Sequence, residues 1–284
     1  MNENKTNINW YPGHMAKTKR EISEKLDLID IVIEVIDARI PNSSKNREVD
    51  SLIKSKPRLL VMSKVDLCDV DITGKWKVYY EELGYKVILV DLLNNINVKE
   101  ILREVDKIDS DLNDRRKSKG LKPRRTRILI LGIPNVGKST LINRLVGKRA
   151  TNVGNRPGVT KSLEWIRINK DIELLDTPGI LWPKLDNNEI ALNLASMTAI
   201  KEEILDIGEV AIYIIDKLRN LYPDSLRNRY KLDDISDDMV ILDEIGRRIG
   251  AIKKGEVDYD RVYSTILKDL REGYLGKVTF DIFK

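Results

Sequence analysis

The chain has 284 residues, 42% hydrophobic and 33% charged, enough for one large domain or two modest ones whose core needs no metal or disulfide to form. A single cysteine, Cys68, excludes an intramolecular disulfide, and with His14 the only histidine there is no Cys/His cluster for structural zinc. Fifty basic against 45 acidic residues leave a net charge of +5, too small by itself to demand an acidic partner. Met1-Asn2-Glu3-Asn4-Lys5 lacks the apolar core of a signal peptide and no apolar run approaches a membrane span, so the expectation is a cytoplasmic protein with no membrane contact.

In chain order, Met15 to Leu28 has helical spacing, with Ile22, Leu26 and Ile29 set against Lys17, Lys19, Arg20 and Lys25. Ile31 to Ile36 reads as a buried strand. Leu59 to Met62, Val87 to Val90 and Ile128 to Leu131 read as three more, separated by helical stretches at Asn46 to Lys54, Lys75 to Leu83 and Val98 to Lys107. Residues 111–127 are expected to form a basic linker. From Arg115 to Arg127 there are eight basic residues and no acidic one, which suits either a polyanion contact or a solvated connection. A helix is expected to reach Val146, an irregular segment to follow from Gly147 to Lys161, and Leu163 to Ile168 and Ile172 to Leu175 to form a hairpin. Strands alternating with helices imply an α/β fold with a mostly parallel six-stranded sheet over residues 1–184. From about Leu185 the apolar period becomes three and four residues, over Ile190 to Ile204, Glu209 to Asn220, Met239 to Ile252 and Tyr259 to Tyr274. That pattern predicts a smaller all-α domain at 185–284.

The strongest chemical signal is Gly132-Ile133-Pro134-Asn135-Val136-Gly137-Lys138-Ser139, between a strand and a helix that opens at Thr140. Glycines let backbone N–H groups curl round phosphate oxygens, and the helix N-terminus favours an anion. Asn135, Val136, Gly137, Lys138, Ser139 and Thr140 are the candidate phosphate contacts. Lys138 is placed to reach the β/γ-phosphates, and Ser139 to ligate Mg²⁺. Downstream, Asp176-Thr177-Pro178-Gly179 follows a strand. Asp176 suits the Mg²⁺ shell, Gly179 suits a γ-phosphate contact beside Pro178, and Thr160 in the intervening loop offers a third Mg²⁺ oxygen.

Guanine presents N1–H and N2–H₂ donors, so a carboxylate near the base separates it from adenine. No Asn-Lys-x-Asp turn follows Gly179. The nearest match lies upstream, in Ser63-Lys64-Val65-Asp66, where Asp66 would pair with the base and the Lys64 stem would lie on its ring. The same phosphate loop also suits an ATPase or phosphotransferase, or a module that binds nucleotide with negligible turnover.

This order of motifs resembles the circularly permuted GTPases. Trp10-Tyr11-Pro12-Gly13-His14-Met15 and Asp37-Ala38-Arg39-Ile40-Pro41 resemble signatures of the YlqF-type ribosome biogenesis GTPases, along essentially the whole chain. The resemblance implies a P-loop GTPase with permuted motifs that acts in late maturation of the large (50S) ribosomal subunit, binds ribosomal RNA through the helical domain among other surfaces, and is stimulated by the subunit and by potassium. It also implies His14 as the residue acting in hydrolysis and Asn135 as a potassium ligand. Nothing in the sequence demands a dimer, so a monomer is expected, with no DNA partner. Ser63 replaces the family's asparagine, and Asp91-Leu92-Leu93-Asn94-Asn95 replaces its Ser-Ala-Lys-like loop behind the base. Ile180 stands where many small GTPases have a water-orienting glutamine.

Overall fold

The computed structural model describes residues 13–47, 50, 53, 56–147, 163–179, 187–200 and 206–283, without the side chains of 13–16 and 164. Its centre is a six-stranded sheet in the order β3-β2-β1-β4-β6-β5: β1 Ile31–Asp37, β2 Arg58–Ser63, β3 Lys86–Leu89, β4 Thr126–Leu131, β5 Glu164–Arg167 and β6 Ile172–Asp176. All neighbours are parallel except the edge pair β5–β6, which closes through a turn in which Asn169 Oδ1 accepts the Asp171 and Ile172 N–H groups at 2.8 Å. β1 is buried along its whole length because helices and loops cover both faces of a parallel sheet. Ile31, Ile33 and Val35 point into one core, and Val32 and Ile36 point into the smaller clusters on the opposite face. Glu34 interrupts the apolar run. Its carboxylate lies 3.1 Å from Lys45 Nζ and 3.4 Å from Arg58 Nη1, so the buried charge is paired.

Helix α1 spans Gly13–Lys25, α2 Val70–Glu82, α3 Val98–Ser118 and α4 Lys138–Val146. α2 begins five residues before the expected Lys75 because Asp69 caps it, accepting the Asp71 and Ile72 N–H groups at 3.0 and 3.2 Å. α3 runs on to Ser118, so the first part of the expected linker at 111–127 is helix. Ile108 and Leu112 continue its apolar face onto the core, and Arg115, Arg116 and Lys117 fall in the last turn, where the helix dipole favours cations. The remaining stretch to β4 is short and partly occupied internally. Arg116 and Arg124 bind Asp30 at 2.7 and 2.9 Å, and Arg127 binds Glu173. Most of the expected helix Asn46 to Lys54, and all of 148–162, lie outside the described residues.

The C-terminal region contains α5 Asn188–Ser196, α6 Ile207–Leu221, α7 Pro223–Tyr230, α8 Asp238–Arg248 and α9 Tyr259–Arg271. α5 stops well before the expected Ile204, in a turn where Thr198 has φ +60°. α7 carries no clear apolar period and starts at a proline, whose missing N–H costs nothing at the first helical position. The region is not wholly helical: β7 Ile252–Lys253 and β8 Glu256–Val257 form a minimal antiparallel hairpin. Its core is continuous with that of the sheet, since Leu194, Ile214 and Ile266 belong to the same cluster as Ile130 and Ile133.

Candidate nucleotide site

The loops after β1, β2, β3, β4 and β6 all leave the same carboxyl edge of the sheet, because those strands are parallel. The chain builds β1, β2 and β3 toward one side, then returns to place β4 on the other side of β1. The loop after β4 therefore sits at the reversal of strand order, where open α/β sheets form a crevice for ligands.

In that loop Gly132 has φ +152°, and a Cβ there would lie 2.4 Å from the Val35 carbonyl oxygen, so no side chain fits. Asn135 and Gly137 take left-handed conformations, φ +61° and +96°, and α4 starts at Lys138, with Ser139 and Thr140 in its first turn. Lys138 is buried, and its ammonium donates to the Ile133 carbonyl at 2.8 Å. Burial pushes its pKa down to about 8, with the Asp176 carboxylate acting in the opposite sense. Asp176 ends β6 in a buried position. Thr177 Oγ1 donates to the Ile130 carbonyl at 2.7 Å and so fixes β6 to the strand leading into the loop. Gly179 then lies on Pro134: an added Cβ would approach Pro134 N and Cα to 2.6 and 2.7 Å. Asn135 Nδ2 donates to the Thr198 carbonyl at 2.7 Å, joining the phosphate loop to the C-terminal region.

On the other side of β1, Ser63 closes β2. Its hydroxyl lies 2.5 Å from the Val136 carbonyl and 3.1 Å from the Ile36 carbonyl, and its one proton favours the shorter bond. Serine therefore ties the Ser63–Asp66 turn directly to the phosphate loop. Lys64 has φ +60°, and its ammonium lies 2.9 Å from Asp37 Oδ2. Asp66 is half-buried in the 3-10 turn Val65–Leu67. Burial, then the neighbouring Asp91 carboxylate, raise its pKa above the usual aspartate value. The segment 91–95 forms a closed turn in which Asp91 Oδ1 accepts the Leu93 and Asn94 N–H groups at 2.9 and 3.0 Å. Burial opposes ionisation of Asp91, but those donors and Asn94 Nδ2 hold its pKa below the usual value. Arg144 on α4 donates to the Leu92 and Leu93 carbonyls, both at 2.9 Å, and Leu92 fills the space beside Gly137. This anchoring, absent from the reading of the sequence, has only one linear signal, an arginine in the last turn of α4.

The expected residues Ser63, Lys64, Asp66, Asn135, Val136, Gly137, Lys138, Ser139, Thr140, Asp176, Pro178 and Gly179 thus gather on one edge of the sheet. Thr160 and Ile180 lie outside the described residues. His14 falls in the first turn of α1, with its side chain also outside them. A hydroxyl at Ser139 and a carboxylate at Asp176 form a hard oxygen set that fits Mg²⁺, which in nucleotide sites takes few protein ligands and completes its shell with phosphate and water.

Residues 127–245 match the family model described as "50S ribosome-binding GTPase". Ribosome biogenesis GTPase A of Bacillus cereus is 45% identical over 276 residues, covering 96% of this chain and 93% of that protein. Its namesake from Thermotoga maritima is 30% identical, covering 96% and 94%. The GDP-bound structure of TM YlqF superposes with a TM-score of 0.67 at 26% identity, covering 93% of this chain and 99% of that one. GNP-bound YlqF from T. maritima gives 0.66 at the same identity. With the permuted motif order and similarity along nearly its whole length, the chain belongs to the ribosome biogenesis GTPase A family.

Proposed function

We propose that this protein binds GTP at the carboxyl edge of the sheet, hydrolyses it, and uses the cycle to control its binding to a large (50S) ribosomal subunit precursor in late maturation. The observation that carries this reading is the Ser63 hydroxyl on the Val136 carbonyl, which makes the Lys64–Asp66 turn and the phosphate loop parts of one site. A carboxylate at Asp66 accepts from guanine N1–H and N2–H₂ and repels the acceptor edge of adenine. The N–H groups of Val136 to Thr140 and the Lys138 ammonium take the phosphates. Ser139, Asp176 and Thr160 hold Mg²⁺, which neutralises charge on the phosphates when bound, and Asn135 is the potassium ligand. His14 positions the attacking water; His14→Ala is expected to lower turnover about a hundredfold and leave GTP affinity nearly intact, as read by single-turnover hydrolysis beside equilibrium binding.

The nucleotide domain spans 1–184 and the helical domain 185–284. The helical domain, α1 and the exposed bases near the end of α3 present charge to ribosomal RNA, recognising phosphate and shape. The protein acts as a cytoplasmic monomer. Among the described residues no helix is long and apolar enough to cross a membrane. The decisive experiment compares GTP with ATP affinity, then measures hydrolysis with and without large subunits in potassium and in sodium buffer. Preference for GTP, with turnover raised by the subunit in potassium, is expected. Equal affinity for ATP, or subunit binding that ignores the nucleotide, overturns the reading.

A further inference from the structure

The Asp37-Ala38-Arg39 segment has a family likeness but no part in the phosphate and base contacts above. Its position follows from strand register. β1 and β2 are parallel, with Asp37 directly opposite Ser63, so the carboxylate ending β1 stands beside Lys64, the residue leaving β2. Arg39 grips that carboxylate with two side-chain bonds, Nε to Oδ1 at 3.0 Å and Nη2 to Oδ2 at 2.8 Å, and its main-chain N–H donates to Oδ1 at 3.0 Å. The Lys64 ammonium binds the same Oδ2 at 2.9 Å. Asp37 is 1% and Arg39 2% exposed, while Lys64 stands at the rim with a quarter of its side chain accessible.

A buried ionic cluster of this kind does little for stability, because desolvation offsets the attraction. Its consequence is geometric. A planar guanidinium fork allows one orientation of the carboxylate, and that orientation allows one place for the ammonium. Lys64 itself has a left-handed backbone, φ +60°, which sets the direction in which its stem leaves β2. Between Arg39 and the nucleotide there is thus a fixed chain of contacts that ends on the residue read as lying against the base.

We propose that Asp37 and Arg39 are positioning residues for guanine recognition: Arg39 orients the Asp37 carboxylate, and Asp37 holds the Lys64 ammonium so that its stem lies where the ring binds. The inference rests on the guanine site proposed above. It requires that Asp37 act on the base and not on the phosphates, and that it act through Lys64.

Both requirements are measurable with the full-length protein and its Asp37→Asn, Lys64→Met and doubly substituted forms, titrated with a fluorescent GDP analogue and, by competition, with inorganic tripolyphosphate. Asp37→Asn is expected to weaken GDP about tenfold and change tripolyphosphate by less than about twofold, and the double variant to be no weaker than Lys64→Met alone, since residues acting in one chain are not additive. Equal loss for GDP and tripolyphosphate, additive losses, or unchanged GDP affinity overturns the inference. If Asp37→Asn does not fold, Arg39→Lys, which keeps the charge and gives up the fork, is expected to weaken GDP about threefold with tripolyphosphate unaffected, and the opposite pattern overturns the inference equally. A wild-type protein that binds ATP as tightly as GTP sinks the guanine reading itself. Guanine preference with a silent Asp37→Asn sinks only the role of Asp37 and Arg39.

Discussion

Ser63 shows how much a single residue in this site depends on its neighbours. In the sequence it is a departure from the asparagine of related base-recognition turns. In the fold its hydroxyl reaches the Val136 carbonyl, because β1 lies between β2 and β4 and brings the two loops within one side-chain length. Asp66 carries a second consequence. Burial and Asp91 raise its pKa in the free protein, whereas guanine donors favour the ionised form, so bound nucleotide lowers that pKa. GTP affinity is therefore expected to hold its full value above the free-state Asp66 pKa and to fall as pH drops through it. Calorimetric titration in about half-unit steps from pH 7 downward through the carboxylate range reads the effect, and affinity that does not fall on acidification of the folded protein contradicts it.

At the scale of elements, the phosphate loop and the segment after β6 are held together by contact between main chains. Gly179 lies on Pro134 so closely that any Cβ meets backbone atoms, which cannot move aside as a flexible side chain can. Gly179→Ala is expected to force the two segments apart and to weaken binding of GTP analogues by tenfold or more, a cost of about 1.4 kcal/mol or above, while GDP binding suffers less on the reading that Gly179 meets the γ-phosphate. Comparing the two nucleotides by fluorescence titration tests this, and equal losses would refute it. The helices show why their ends were harder to read than their existence. The period of α2 marks its existence, but its start depends on the Asp69 cap, and α3 extends past the expected Lys107 because Ile108 and Leu112 carry its apolar face onward before the basic last turn. α7 escaped altogether: with only Leu226 and Tyr230 buried it is too short for a stripe to show.

For the whole molecule, the chain's end is the clasp between its two parts. After α9 the backbone returns to the sheet, where the Val278 N–H donates to the Leu67 carbonyl at 3.1 Å and the Phe280 N–H to the Arg39 carbonyl at 2.8 Å. Asp281 completes the clasp, accepting from Ser43 N and Ser43 Oγ at 2.6 Å each and from Asn193 Nδ2 at 2.9 Å. Burial raises the pKa of this carboxyl even though the Ser43 donors favour its charged form. Asp281→Ala removes the common acceptor of three buried donors and is expected to destabilise the protein by about 2–4 kcal/mol, measured as a shift in the urea midpoint. A change below about 0.5 kcal/mol would show that the clasp is dispensable. The tail also explains why the helical region shares a core with the sheet although its apolar pattern changes abruptly near Leu185.

The fold class and most of the site were legible in linear order because their signals are local. A buried parallel strand needs a run of apolar residues, a phosphate loop needs glycines at set positions, and a carboxylate for guanine must follow a strand end. From these the sequence by itself determined a permuted GTPase architecture and singled out the candidate phosphate and base residues that the fold gathers on one edge of the sheet. The tertiary structure alone decided how those pieces are joined: Ser63 to Val136, Arg144 to the loop behind the base, Asn135 to Thr198, Arg39 through Asp37 to Lys64, and the C-terminal tail to the turn beside Asp66. Apart from the local Arg39–Asp37 pair, each of these bonds depends on strand register or on chain segments far apart in sequence. A period or motif reports only on its own neighbourhood, and long-range pairing is set by how the whole sheet and its helices pack.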